Sequence, residues 1–72
     1  MEVKLFAALR EGRGKSVQVE WYEGINGQAI LDILEISPAD VSICLINGKN
    51  AGFDDPISQS DVVSFFSPVG GG

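Results

Sequence analysis

The chain has 72 residues, a formal charge of −5, 44% apolar residues, one cysteine and no histidine. That length holds one domain with a thin core, and the apolar fraction excludes a disordered chain. The missing histidines and the lone Cys44 exclude a His-based triad, a protein-only zinc site and an internal disulfide.

Residues 2–9 alternate, with Val3, Leu5, Ala7 and Leu9 on one face and Lys4, Phe6, Ala8 and Arg10 on the other. Period two predicts a strand with one buried face. Glu11-Gly12-Arg13-Gly14 reads as a turn. Residues 16–21 alternate again, with Val17, Val19 and Trp21 inward, which predicts an antiparallel hairpin. Glu23-Gly24 breaks this strand, and Asn26 is placed to cap a helix. Ala29, Ile30, Ile33 and Leu34 follow at helical spacing, with Asp32 and Glu35 on the wet side and Leu31 unassigned. Ser37-Pro38 is expected to end this helix, because the residue before proline avoids helical angles. So short a helix must be held by packing on a sheet.

Residues 41–46 predict a third, nearly continuous apolar strand, and Asn47-Gly48-Lys49-Asn50 a turn. Residues 51–53 are expected to form a short edge strand and Asp54-Asp55-Pro56 a loop. Residues 61–66 are almost wholly apolar, which suits a central strand. This order predicts an α+β fold: a mixed sheet with one helix packed on one face.

Charge is unevenly placed. Residues 1–15 carry four basic groups (Lys4, Arg10, Arg13, Lys15) against two acidic ones, while residues 16–72 carry Lys49 against eight acids. The basic cluster reads as a solvated turn, and an acidic chain with so few cations is a poor nucleic-acid binder. The net charge favours a partner with a basic docking face. No apolar run approaches the ~20 residues that span a membrane, and Met1-Glu2-Val3-Lys4 lacks the layout of a signal peptide, so a cytoplasmic protein is expected. Cys44 lies mid-strand and reads as a small apolar residue. Asp54 and Asp55 read as turn formers, and Trp21 and Tyr22 as strand-end aromatics.

The chain ends Ser67-Pro68-Val69-Gly70-Gly71-Gly72. Pro68 lacks an amide hydrogen and stops a sheet ladder. The glycines offer nothing to pack, so residues 1–69 are expected to form the domain and 70–72 a flexible tail. A glycine end fits a channel too narrow for other residues. With Gly72 as the terminus, its carboxylate is the group with distinctive chemical potential, inert until activated, for instance by transfer to AMP from ATP.

The run Val62-Val63-Ser64-Phe65-Phe66-Ser67-Pro68-Val69-Gly70-Gly71-Gly72 resembles the end of ubiquitin-like sulfur carriers of the MoaD/ThiS family. Leu5-Phe6-Ala7-Ala8-Leu9-Arg10-Glu11, Ile46-Asn47-Gly48-Lys49 and Phe53-Asp54-Asp55-Pro56 match in the same order. The sequence departs from the family pattern at Ser67, commonly proline, and at Gly70, commonly Ser, Ala or Thr. The resemblance implies a β-grasp fold and a carrier rather than an enzyme. An E1-like adenylyltransferase would activate Gly72 with ATP, and a sulfurtransferase would help convert it to a thiocarboxylate. The large subunit of a molybdopterin synthase would then receive the tail, Gly70 and Gly71 included. No metal and no permanently bound cofactor is implied, and the Phe-Phe-Ser-Pro-Val run favours the molybdopterin branch over the thiamine branch.

The same resemblance assigns the positions of Phe6 and Phe66, with Pro68 and Val69, to a partner-binding surface. Alternation agrees for the aromatics: both fall on the sheet's open face, beside Lys4 and Ser64, if the first and last strands are neighbours. Two other readings stay open. One is a protein modifier joined through Gly72 to lysines of other proteins; the other is a plain interaction module with an inert tail.

Overall fold

The structure is a computed structural model and describes residues 1–68. Five strands form one mixed sheet: β1 (Glu2–Phe6), β2 (Ser16–Gln18), β3 (Ile43–Ile46), β4 (Lys49–Asn50) and β5 (Val63–Phe66). Their order across the sheet is β2-β1-β5-β3-β4, and one helix, α1 (Gly27–Leu34), crosses a face. β1 and β5 run parallel at the centre, with Val3 opposite Val63 and Phe6 opposite Phe66, while the other neighbours pair antiparallel. The nearly all-apolar last strand is central, as its sequence predicts.

Alternation in the two central strands builds the core. Val3, Leu5, Val63 and Phe65 point to the helix side and are completely buried, together with Ile30 and Leu31 of α1 and Ile25 before it. Every buried side-chain polar atom among the described residues has a partner. Trp21 packs against this core and donates its indole N–H to the Ile57 carbonyl at 2.8 Å.

Several elements differ from the sequence expectation, and β2, β3 and β5 are each shorter than the expected strands over 16–21, 41–46 and 61–66. β1 stops at Phe6, and residues Ala7–Arg10 form a 3₁₀ turn. Ala7 takes a left-handed φ of 57°, which ends the pleat. Leu9 still reaches the core, but by the turn rather than by strand alternation. In α1 the apolar stripe is rotated: Leu31 is fully buried and Ile33 is 53% exposed. Gly27, Ile30, Leu31 and Leu34 share the inward side, because Gly27 approaches the backbone of Phe53 so closely that a Cβ there would lie 3.3 Å from the Phe53 Cα. The Gln28 amide donates to the Phe53 carbonyl and locks that contact.

The Asn26 side chain accepts from the Ala29 amide at 2.9 Å, so the expected cap is present. The helix ends before Ser37-Pro38, at Glu35, which adopts φ 58° while the Ile36 amide returns to the Leu31 carbonyl. Pro38 instead opens a short 3₁₀ turn, Pro38–Asp40, capped by the Ser37 hydroxyl. Finally, the edge strand is Lys49–Asn50 and not residues 51–53. Asn47 and Gly48, at φ 53° and 81°, make a two-residue turn that pairs Lys49 directly with Ile46.

Candidate functional site

The sheet face opposite α1 carries the odd-one-out side chains of the central strands. Lys4 and Phe6 of β1 lie in register with Ser64 and Phe66 of β5. The Phe6 and Phe66 rings stack with centroids 4.2 Å apart and planes 5° from parallel. Both are half-buried. Ile43, opposite Phe66 on β3, extends the row and is 43% exposed. The two aromatics predicted from alternation therefore stand together at the end of β5, one residue before the chain leaves the sheet.

Three contacts hold this corner. The Arg10 Nε donates to the Leu5 carbonyl at 2.7 Å, and its guanidinium carbon lies 4.9 Å from the centre of the Phe6 ring. The Ser67 hydroxyl accepts from the Ala8 amide at 3.2 Å, fastening the exit of β5 to the 3₁₀ turn. A proline at position 67 carries no such acceptor, so the departure from the family pattern supplies a tether of its own. On the other side, the Phe66 carbonyl accepts from the Ser42 amide at 2.8 Å and from its hydroxyl at 3.3 Å. Pro68 is exposed beside a shallow cavity also lined by Leu9, Ile36, Arg13 and Asp40. Val69, Gly70, Gly71 and Gly72, and with them the expected flexible tail, lie outside the described residues.

Sequence reasoning placed Lys4 and Ser64 beside the aromatic pair and missed Arg10 and Ile43. Alternation put Arg10 on the face of Phe6, yet its charge made it read as part of a solvated turn; β1 ends at Phe6, and Arg10 reaches the ring from the 3₁₀ turn instead. Other candidates are structural. Cys44 is buried, and burial first, then the carboxylate of Asp55, push its thiol above the usual cysteine range. Asp55 accepts from the Gly52 amide at 2.8 Å, as a turn former does. Asp61 accepts from the Ser58 amide and from the Asn47 side chain, both at 2.8 Å, bracing the start of β5. Among the described residues no three His, Cys, Asp or Glu side chains cluster to hold a metal ion. No described helix is long and apolar enough to cross a membrane.

The family model of the ThiS family matches residues 3–72. The chain belongs to the ThiS family. It is a ubiquitin-like sulfur carrier or modifier of the MoaD/ThiS type with a β-grasp fold. Among solved structures, SAMP1 from Haloferax volcanii is 29% identical with a TM-score of 0.76, covering 100% of this chain and 98% of its own. A second structure, H. volcanii small archaeal modifier protein 1, is 26% identical with a TM-score of 0.77, covering 96% and 97%. A protein from Pyrococcus furiosus assigned as molybdopterin converting factor, subunit 1, shares the fold at 23% identity and a TM-score of 0.72, covering 94% and 95%. No curated protein is matched.

Proposed function

We propose that this ThiS-family chain is a sulfur carrier whose Gly72 carboxylate is adenylated, converted to a thiocarboxylate, and spent on a pterin precursor in molybdopterin biosynthesis. The observation that carries the reading is that the family match runs through residue 72, so the glycine end belongs to the shared pattern. The Phe65-Phe66-Ser67-Pro68-Val69 run supports the molybdopterin branch.

The chemistry needs little from the carrier itself. The Gly72 carboxylate oxygen bonds to the α-phosphorus of ATP and pyrophosphate leaves. A hydrosulfide-level sulfur supplied through a sulfurtransferase then bonds to the carbonyl carbon, and AMP leaves. An E1-like adenylyltransferase performs the first step and consumes the ATP; the carrier keeps no cofactor. The large subunit of a molybdopterin synthase takes the loaded tail and supplies orientation. All of this is cytoplasmic chemistry, and the chain serves as a small subunit rather than as a catalyst. Ordering a glycine tail in a partner's channel costs roughly 1–2 kcal/mol per residue. The globular face must offset that cost, and the stacked Phe6–Phe66 pair, with Pro68 and Val69 next in sequence, is the surface for it.

The test is the intact mass of the chain after incubation with the adenylyltransferase, ATP and a sulfur donor. One oxygen should be exchanged for one sulfur, and deletion of Gly72 should abolish the exchange. An unchanged mass for the full chain sinks the reading. A second reading, favoured by the names of the two H. volcanii structures, is a modifier joined through Gly72 to lysines of other proteins. Its product is an isopeptide-linked band rather than a thiocarboxylate. A thiamine-type carrier gives the same mass change but fails to sulfurate a pterin.

A further inference from the structure

The hydrogen-bond ladder between the two central strands ends in a change of acceptor at Ser67. Leu5 turns its amide towards β2 and donates to the Lys15 carbonyl, so Lys4 and Phe6 turn theirs towards β5, in register with Ser64 and Phe66. The next amide on that side belongs to Ala8. On β5 the Phe66 carbonyl faces β3, where it accepts from the Ser42 amide, so the next carbonyl to face β1 is that of Ser67. A ladder that simply continued would join the Ala8 amide to that carbonyl. The left-handed Ala7, at φ 57°, ends the pleat instead, and the Ala8 amide donates to the Ser67 hydroxyl at 3.2 Å. A side chain carries the bond that the main chain carries one rung earlier.

This tie stands at the point where the chain leaves the sheet. Phe6 gives the 3₁₀ turn no side-chain cap, and it is β5 that satisfies the Ala8 amide of that turn. Pro68 has no amide to offer β3, so on that side the ladder closes with the Phe66 carbonyl. Pro68 also confines Ser67 to extended backbone angles. The bond to Ala8 then fixes how that extended residue lies against the body of the fold. Five residues separate Ser67 from Gly72, about 17 Å of chain at full extension. A change of direction at the base of such a length is magnified at its end.

We propose that Ser67 is a positioning residue: by holding the Ala8 amide, its hydroxyl sets the direction in which the chain leaves β5, so that less of it remains to be ordered when Gly72 enters the site of the adenylyltransferase. The inference rests on the carrier reading. It needs no contact between Ser67 and the partner, because the gain comes from order already present in the free carrier.

Two measurements on the full chain test it. Native-state amide hydrogen exchange reads the tie without a partner. Ser67→Ala should speed exchange of the Ala8 amide at least tenfold, while the Leu5 amide keeps its protection and the melt stays cooperative; Ser67→Thr, which keeps the hydroxyl, should stay within twofold of the unaltered chain. Pyrophosphate exchange with the E1-like adenylyltransferase of the same genome reads the consequence. Ser67→Ala should raise KM for the carrier roughly fivefold with kcat retained, and Ser67→Thr should restore it. Unchanged protection of Ala8 in Ser67→Ala overturns the tie. Faster exchange at Ala8 with an unchanged KM, or a raised KM that threonine fails to restore, overturns the positioning role. If the unaltered chain supports no pyrophosphate exchange, the carrier reading fails and the positioning role falls with it, while the protection of Ala8 still reports the tie itself.

Discussion

Cys44 is a thiol in a sulfur-handling family, yet its surroundings keep it out of that chemistry. It sits opposite Phe65 on β3, buried, with its ionisation pushed up by desolvation and then by Asp55. A raised thiol means that the folded chain holds the proton more tightly than the unfolded chain does. The resulting stability is present in full below the unfolded thiol pKa of ~8.5 and is lost as pH rises through the folded value. The urea midpoint should therefore fall as the buffer is taken above about pH 8.5. Cys44→Ala should lose less over the same range, and equal slopes for the two proteins would show that the thiol does not report burial. The same residue predicts slow alkylation of the native protein, since the thiolate is the reactive form.

The helix shows how local signals and packing divide the work. The Asn26 cap satisfies the Ala29 amide at the start of α1. Eight residues make too short a helix to persist alone, so the cap matters in proportion. Asn26→Ala should cost about 1 kcal/mol in a denaturant titration, with an unchanged slope against denaturant. What the cap does not set is the roll of the helix. Gly27 against Phe53 sets it, turning Leu31 inward and leaving Ile33 in water.

At the scale of the whole molecule, two neighbouring phenylalanines divide the core from the open face of the sheet. Phe65 faces α1 and is completely buried, whereas Phe66 faces outward, half-exposed, against Phe6. Phe65→Ala removes a core side chain from the central strand and should cost about 3–5 kcal/mol. That is most of the stability available to a domain of this size, so circular dichroism should show a protein that melts early or is unfolded at room temperature. Phe66→Ser loses the ring stack and part of the covered area, about 1–2 kcal/mol. The fold should survive with a cooperative melt, and under the proposed carrier function binding to the activating adenylyltransferase should weaken at least tenfold in a titration. A collapsed melt for Phe66→Ser would mean that the ring is core after all.

The sequence alone determined the things that depend on neighbours along the chain. Alternation placed Phe6 and Phe66 on one face, Asn26 announced the helix, Asn47-Gly48 announced a hairpin, and the order of elements matched a β-grasp chain ending in glycines. Tertiary structure decided what depends on residues far apart. The parallel pairing of β1 with β5 joins positions 6 and 66 and brings their rings to 4.2 Å. It also ends β1 at Phe6, because the chain must turn there to let β5 leave beside Ala8. Alternation cannot announce that stop, since Phe6-Ala7-Ala8-Leu9 carries the same pattern whether the pleat continues or breaks. The basic cluster of residues 1–15 was legible in the sequence, but its place beside the Phe6–Phe66 stack was not, because that depends on the pairing of β1 with β5.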